Sequence, residues 1–129
     1  MDKRVQELWA NALESDEFIQ ARSAMSRMTK EGQSYCCLGV LCELYSRETG
    51  NDGWKPIPKA LPELIGQEFN FDGYTICLPE DVMVWAGLEE RNPVLIPKNH
   101  YLGESHRAVE VNDNMCYTFP EIAKLVRKL

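Results

Sequence analysis

Residues 35–45 read Tyr35-Cys36-Cys37-Leu38-Gly39-Val40-Leu41-Cys42-Glu43-Leu44-Tyr45, and the polar Ser46-Arg47-Glu48-Thr49 and then Gly50 follow. The run is apolar almost all the way round a helix rather than along one stripe, and such a helix belongs at the centre of a fold. Gly50 is its terminator, because glycine enters the left-handed conformation without a Cβ penalty. Outward from this centre the pattern turns amphipathic. Val5, Leu8, Trp9 and Leu13 fall on one helical stripe opposite Glu7, Asn11 and Glu14, which predicts a helix ending near Ser15 with Trp9 in the core. At the far end, Thr118-Phe119-Pro120-Glu121 has the capping-box pattern and Tyr117 is placed to staple onto Ile122. Ile122, Leu125, Val126 and Leu129 form the stripe of a closing helix, with Lys124, Arg127 and Lys128 at its negative end.

Between these anchors the signals are weaker. Phe18, Ala21, Met25 and Met28 have helical spacing, yet residues 23–36 read equally as a hairpin turning at Gly32, and period alone leaves both open. Residues 51–73 carry Pro56, Pro58 and Pro62 and are expected to run over the surface with a helical turn around 61–65. Tyr74-Thr75-Ile76-Cys77 reads as a short strand. Pro79, Glu80, Asp81, Val82 and Trp85 with Gly87 predict a two-turn helix. Residues 92–106 read as an irregular loop, and Ala108-Val109-Glu110-Val111 as an edge strand closed by Asn112-Asp113-Asn114. With no repeat, linker or low-complexity tract, the expectation is one α+β domain over residues 1–129. Its amphipathic terminal helices and central buried helix would pack with a small antiparallel sheet.

The chain has 129 residues and a net charge of −6. A chain of this length buries a real core without help from a metal or disulfide. The charge is uneven: eight cations and ten anions in residues 1–65, three and nine in 66–117, three and one in 118–129. An acidic chain without a clustered basic face argues against duplex nucleic acid and against an anionic membrane surface. No run of 18 apolar residues exists, and Asp2, Glu7 and Glu14 stand where a signal peptide would be apolar. The expected setting is therefore cytoplasmic. The five cysteines, an odd number, are expected to be reduced thiols.

Cysteine, histidine and carboxylate patterns are the first places where a sequence carries chemistry. Cys36, Cys37 and Cys42 lack zinc-ligand spacing, His100 and His106 have no matching pair, and no phosphate-binding glycine loop is present, so no metal or cofactor is expected. Cys37 and Cys42 read as small core hydrophobes. Glu80-Asp81 and Glu89-Glu90 read as a helix start and a solvated turn. One window differs: residues 18–30 contain Arg22, Arg27 and Lys30, no acid, and the neutral hydrogen-bonders Gln20, Ser23, Ser26 and Thr29. Guanidinium forks match phosphate or carboxylate geometry, and Phe18, Tyr35, Trp9 and Trp54 are flat surfaces able to stack a base. The plainer alternative is a solvated face with ordinary surface cations.

In order along most of the chain, Trp9-Ala10-Asn11-Ala12-Leu13, Tyr35-Cys36-Cys37-Leu38-Gly39-Val40-Leu41-Cys42, Leu78-Pro79-Glu80, Trp85-Ala86-Gly87-Leu88, Asn112-Asp113 and Thr118-Phe119-Pro120-Glu121-Ile122-Ala123 carry a resemblance. The chain resembles a group of small proteins encoded by bacteriophages and prophages. It departs from their pattern at Phe18 and Ser23, where tyrosine and glycine are expected. The resemblance implies a counter-defence setting in the cytoplasm of an infected bacterium. The expectation is a non-catalytic homo-oligomer that sequesters a small nucleotide-type immune signal, with Gln20, Arg22, Arg27, Tyr35, Trp54, Asn112 and Asp113 as ligand-binding residues. Two alternatives are an acidic inhibitor of a host protein using residues 66–117, and a small hydrolase working through Cys36 or His100.

Overall fold

The computed structural model describes residues 1–58, 66–99 and 103–129. Three helices meet their expectations. Helix α1 (Lys3–Glu14) is capped by Asp2, whose carboxylate accepts from the Val5 N–H at 2.9 Å. Helix α2 (Cys37–Thr49) buries Cys37, Leu38, Gly39, Val40, Leu41, Cys42, Leu44 and Tyr45, and ends at Gly50 with φ +79°. Helix α5 (Phe119–Val126) carries the complete Thr118/Glu121 capping box. A fourth, α3 (Glu80–Trp85), starts after Pro79 and is followed by Gly87 at φ +68°.

Residues 19–35 settle as strands. β1 (Ile19–Gln20), β2 (Ser26–Thr29) and β3 (Gly32–Tyr35) belong to one sheet, and β2 and β3 form a hairpin whose turn is Lys30-Glu31. The inward serines explain why a polar sequence is stable there. Ser26 Oγ donates to the Ser34 carbonyl at 2.8 Å and Ser34 Oγ to the Arg27 carbonyl at 2.7 Å, so their burial leaves no unpaired hydroxyl.

The expectation for residues 51–73 needs correction, because β4 (Trp54–Pro56) and β5 (Glu68–Phe71) pair antiparallel and complete a five-stranded sheet of order β1-β3-β2-β5-β4. Pro56 is tolerated because β4 is an edge strand. The helical turn expected around 61–65 lies outside the described residues. The sheet is mixed rather than antiparallel, since β1 runs parallel to β3. Tyr74–Cys77 is not a strand: Asp72 and Gly73 take φ of +51° and +89°, turning the chain so that Tyr74 makes a single bridge back to Phe71.

The reading of residues 92–111 also changes. β6 (Val94–Ile96) pairs with β7 (His106–Arg107) in a second small sheet. Ala108–Asp113 is a helix, α4, and not an edge strand. Its apolar spacing fits either period, but Ala108 and Val111, one turn apart, are both fully buried, and α4 packs against α2.

The core is one cluster around α2, which packs against α1, α3, α4 and β3. Trp9 is wholly buried and its Nε1 donates to the Cys37 carbonyl at 3.0 Å, tying α1 to the start of α2. Helices α1 and α5 lie together, with Gln6 Nε2 donating to the Val126 and Leu129 carbonyls at 2.8 and 3.0 Å. Among the described residues no helix is long and apolar enough to cross a membrane. The molecule is a small α+β domain.

Candidate functional site

Of the seven residues singled out in the sequence, six separate into two groups and Arg27 stands apart from both. The first is built on Asn112, at the end of α4 and fully buried. Its Oδ1 accepts from the backbone N–H of Cys37 at 3.2 Å and from Gln20 Nε2 at 2.9 Å. Its Nδ2 donates to the Ala21 carbonyl at 2.9 Å and to Asp113 Oδ1 at 2.7 Å. A backbone N–H can only donate and a carbonyl only accept, so these partners fix which way the amide faces. The Asn112 carbonyl accepts from the Arg22 guanidinium, and Gln20 also donates to the Tyr117 carbonyl at 2.9 Å. Gln20, Arg22, Asn112 and Asp113, some ninety residues apart in the chain, are thus one hydrogen-bonded unit joining β1 to α2 and α4.

The second group is aromatic. Tyr35 and Trp54 meet edge to face with centroids 5.7 Å apart, and each has a further ring neighbour, Phe18 and Phe71 respectively. The chain of rings continues through Tyr45 to Trp85. Trp54 Nε1 donates to Glu43 at 3.0 Å, and burial raises the Tyr35 hydroxyl above its ordinary pKa, with the Glu43 charge adding to it. These rings brace one another in edge-to-face contact and do not form a parallel sandwich for a base. Arg27 joins neither group through its guanidinium alone: it pairs with Glu68 at 3.2 Å and donates weakly to the Arg22 carbonyl at 3.5 Å.

Beside the Asn112 unit lies a cavity of about 190 Å³. Met25 and Cys36, both buried, line it together with Ala24 and Val109. Its polar lining residues are Ser23, Thr75 and Asp113, and Ile76, 71% exposed, also lines it. Asp113 forms no ion pair among the described residues. The sequence did not point to Thr75 or Ile76, because only the turn at Asp72-Gly73 brings that segment to α2. Ser23 had a signal: it takes φ +62°, a left-handed backbone that favours the glycine which the resemblance expects there.

Cys36 caps α2, its Sγ accepting from the Gly39 N–H at 3.3 Å, and lies 3.7 Å from Met25 Sδ. Burial pushes its thiol up to about 12 and those of Cys37 and Cys42 well above their ordinary value. At neutral pH all three are neutral thiols, which are poor nucleophiles. His106 Nδ1 lies 2.5 Å from Glu110, and His100 lies outside the described residues. Among the described residues no three His, Cys, Asp or Glu side chains gather as a metal site.

Larger grooves among the described residues include one of about 550 Å³ between α1 and α2 and one of about 560 Å³ between β6 and α5. In the first, Arg4 and Arg47 are paired with Glu48 and with Glu17 and Glu43. No curated protein and no solved structure matches the chain. The model of the domain of unknown function DUF8296 matches residues 1–129, and the chain belongs to that family.

Proposed function

We propose that the domain binds and sequesters a small nucleotide-type ligand without transforming it, and that it does so as a phage-encoded counter-defence protein in an infected bacterium. The observation that carries the reading is the buried Asn112 unit. It fixes Arg22 and Asp113, and Asp113 lines a cavity of about 190 Å³, a volume suited to one nucleobase. Arg22 uses one Nη on the Asn112 carbonyl, and its remaining N–H groups have no protein partner among the described residues, which leaves a guanidinium edge for a phosphate. A whole nucleotide exceeds this cavity, so its sugar and phosphate would lie along the surface toward Arg22 or against a second subunit.

Sequestration requires affinity and no general acid, metal or activated nucleophile. A thermal-shift panel of mono-, cyclic and ADP-ribose-type nucleotides tests it. A ligand at 100 times its Kd stabilises by about 2.7 kcal/mol, an upward shift of several degrees. The bound nucleotide should be recovered chemically intact after heat release, and Arg22→Ala should weaken binding while leaving the fold in place. No shift with any member, or recovery of a converted product, would count against the reading.

A further inference from the structure

We infer that the cavity selects guanine, with the Asp113 carboxylate reading the base; the inference rests on the nucleotide reading above. Asp113 lines the cavity, is partly buried and has no cationic partner among the described residues. Its orientation is not free. Asn112 Nδ2 donates to Oδ1 at 2.7 Å, and the Asn112 amide is itself locked by the Cys37 N–H and the Ala21 carbonyl. Each carboxylate oxygen has two acceptor sites, so Oδ1 keeps one and Oδ2 keeps both for a ligand.

A carboxylate facing a flat pocket is matched by two parallel N–H donors on neighbouring atoms, the same fork by which arginine grips a carboxylate. Guanine presents that edge, N1–H beside the 2-amino group. Adenine and cytosine set an acceptor nitrogen beside their amine, and uracil flanks its single N–H with two carbonyls, so each places a lone pair against the charge. The rest of the cavity suits the ring. Met25 and Val109 supply apolar walls, and Ile76, the most exposed large apolar side chain described, would be covered by a base. The hydroxyls of Ser23 and Thr75 are left for the polar edge carrying O6 and N7, or for the ribose.

Calorimetric titration with GMP, IMP and AMP, and with ribose 5-phosphate as the anion alone, tests this. GMP should bind at least ~10-fold tighter than AMP, with IMP, which lacks the 2-amino donor, between them. Asp113→Asn, checked for folding by circular dichroism, puts an amide donor against the base and should remove the preference for GMP while ribose 5-phosphate binding is unchanged. The wild-type ranking of GMP over IMP stands as a test even where the variant misfolds. Equal binding of GMP and AMP overturns the guanine assignment and leaves the nucleotide reading standing. Failure of all three nucleotides also overturns the guanine assignment, and the nucleotide reading falls with it only if the cyclic and ADP-ribose-type members of the thermal-shift panel fail as well.

Discussion

At the scale of single residues, Asn112 should matter more than any charged group near it. It is fully buried with both ends of its amide occupied, and truncation would leave the Cys37 N–H and Ala21 carbonyl unpaired inside the protein. Asn112→Ala should cost about 2–4 kcal/mol in urea unfolding; a loss below about 1 kcal/mol would mean that water replaces the amide. The buried thiols make a second residue-scale expectation. Cys36 titrates near 12 in the folded chain against an ordinary value of 9. Below pH 9 both states keep the proton; above it the unfolded chain releases a proton that the folded chain retains. Stability is therefore fully present below pH 9 and falls as pH rises toward 12, at about 1.4 kcal/mol per pH unit for this thiol, with Cys37 and Cys42 acting in the same direction. Unfolding curves at pH 7, 9 and 10.5 under reductant measure this, and a flat profile would contradict the burial.

At the scale of elements, the two ends of helices give separable tests. Thr118→Ala removes the oxygen that caps α5 and should cost about 1 kcal/mol. Gly39→Ala improves helix propensity by about 1 kcal/mol, yet its Cβ would stand 2.0 Å from the Met25 carbonyl oxygen, so the variant should be less stable than the parent. The same contrast explains what the sequence revealed. Helices α1, α2, α3 and α5 were legible because their stripes, caps and terminators lie within a few residues of one another. Strands of two to four residues were not, because β1, β4 and β5 are defined by partners far along the chain, and β4 contains a proline. Val109-Glu110-Val111 alternates like a strand, and only its packing on α2 makes it helical. The candidate site was half legible for the same reason: its residue types stood out, but a network spanning ninety residues has no local trace.

At the scale of the whole molecule, stability is concentrated where helices meet α2. Trp9→Ala removes a fully buried indole and its hydrogen bond to Cys37, and should cost about 3–5 kcal/mol by chemical denaturation. The packing of α1 on α5 bears on biosynthesis. Gln6 and Val126 are 120 residues apart. At ordinary elongation rates roughly 5–20 s separate the emergence of α1 from that of α5. During that interval the surface α1 turns toward α5 has no partner to cover it. Ribosome-bound chains stopped before residue 119 should therefore be cut more readily within α1 than the full chain is, and chaperones that grip apolar helices should find their target in the first fourteen residues.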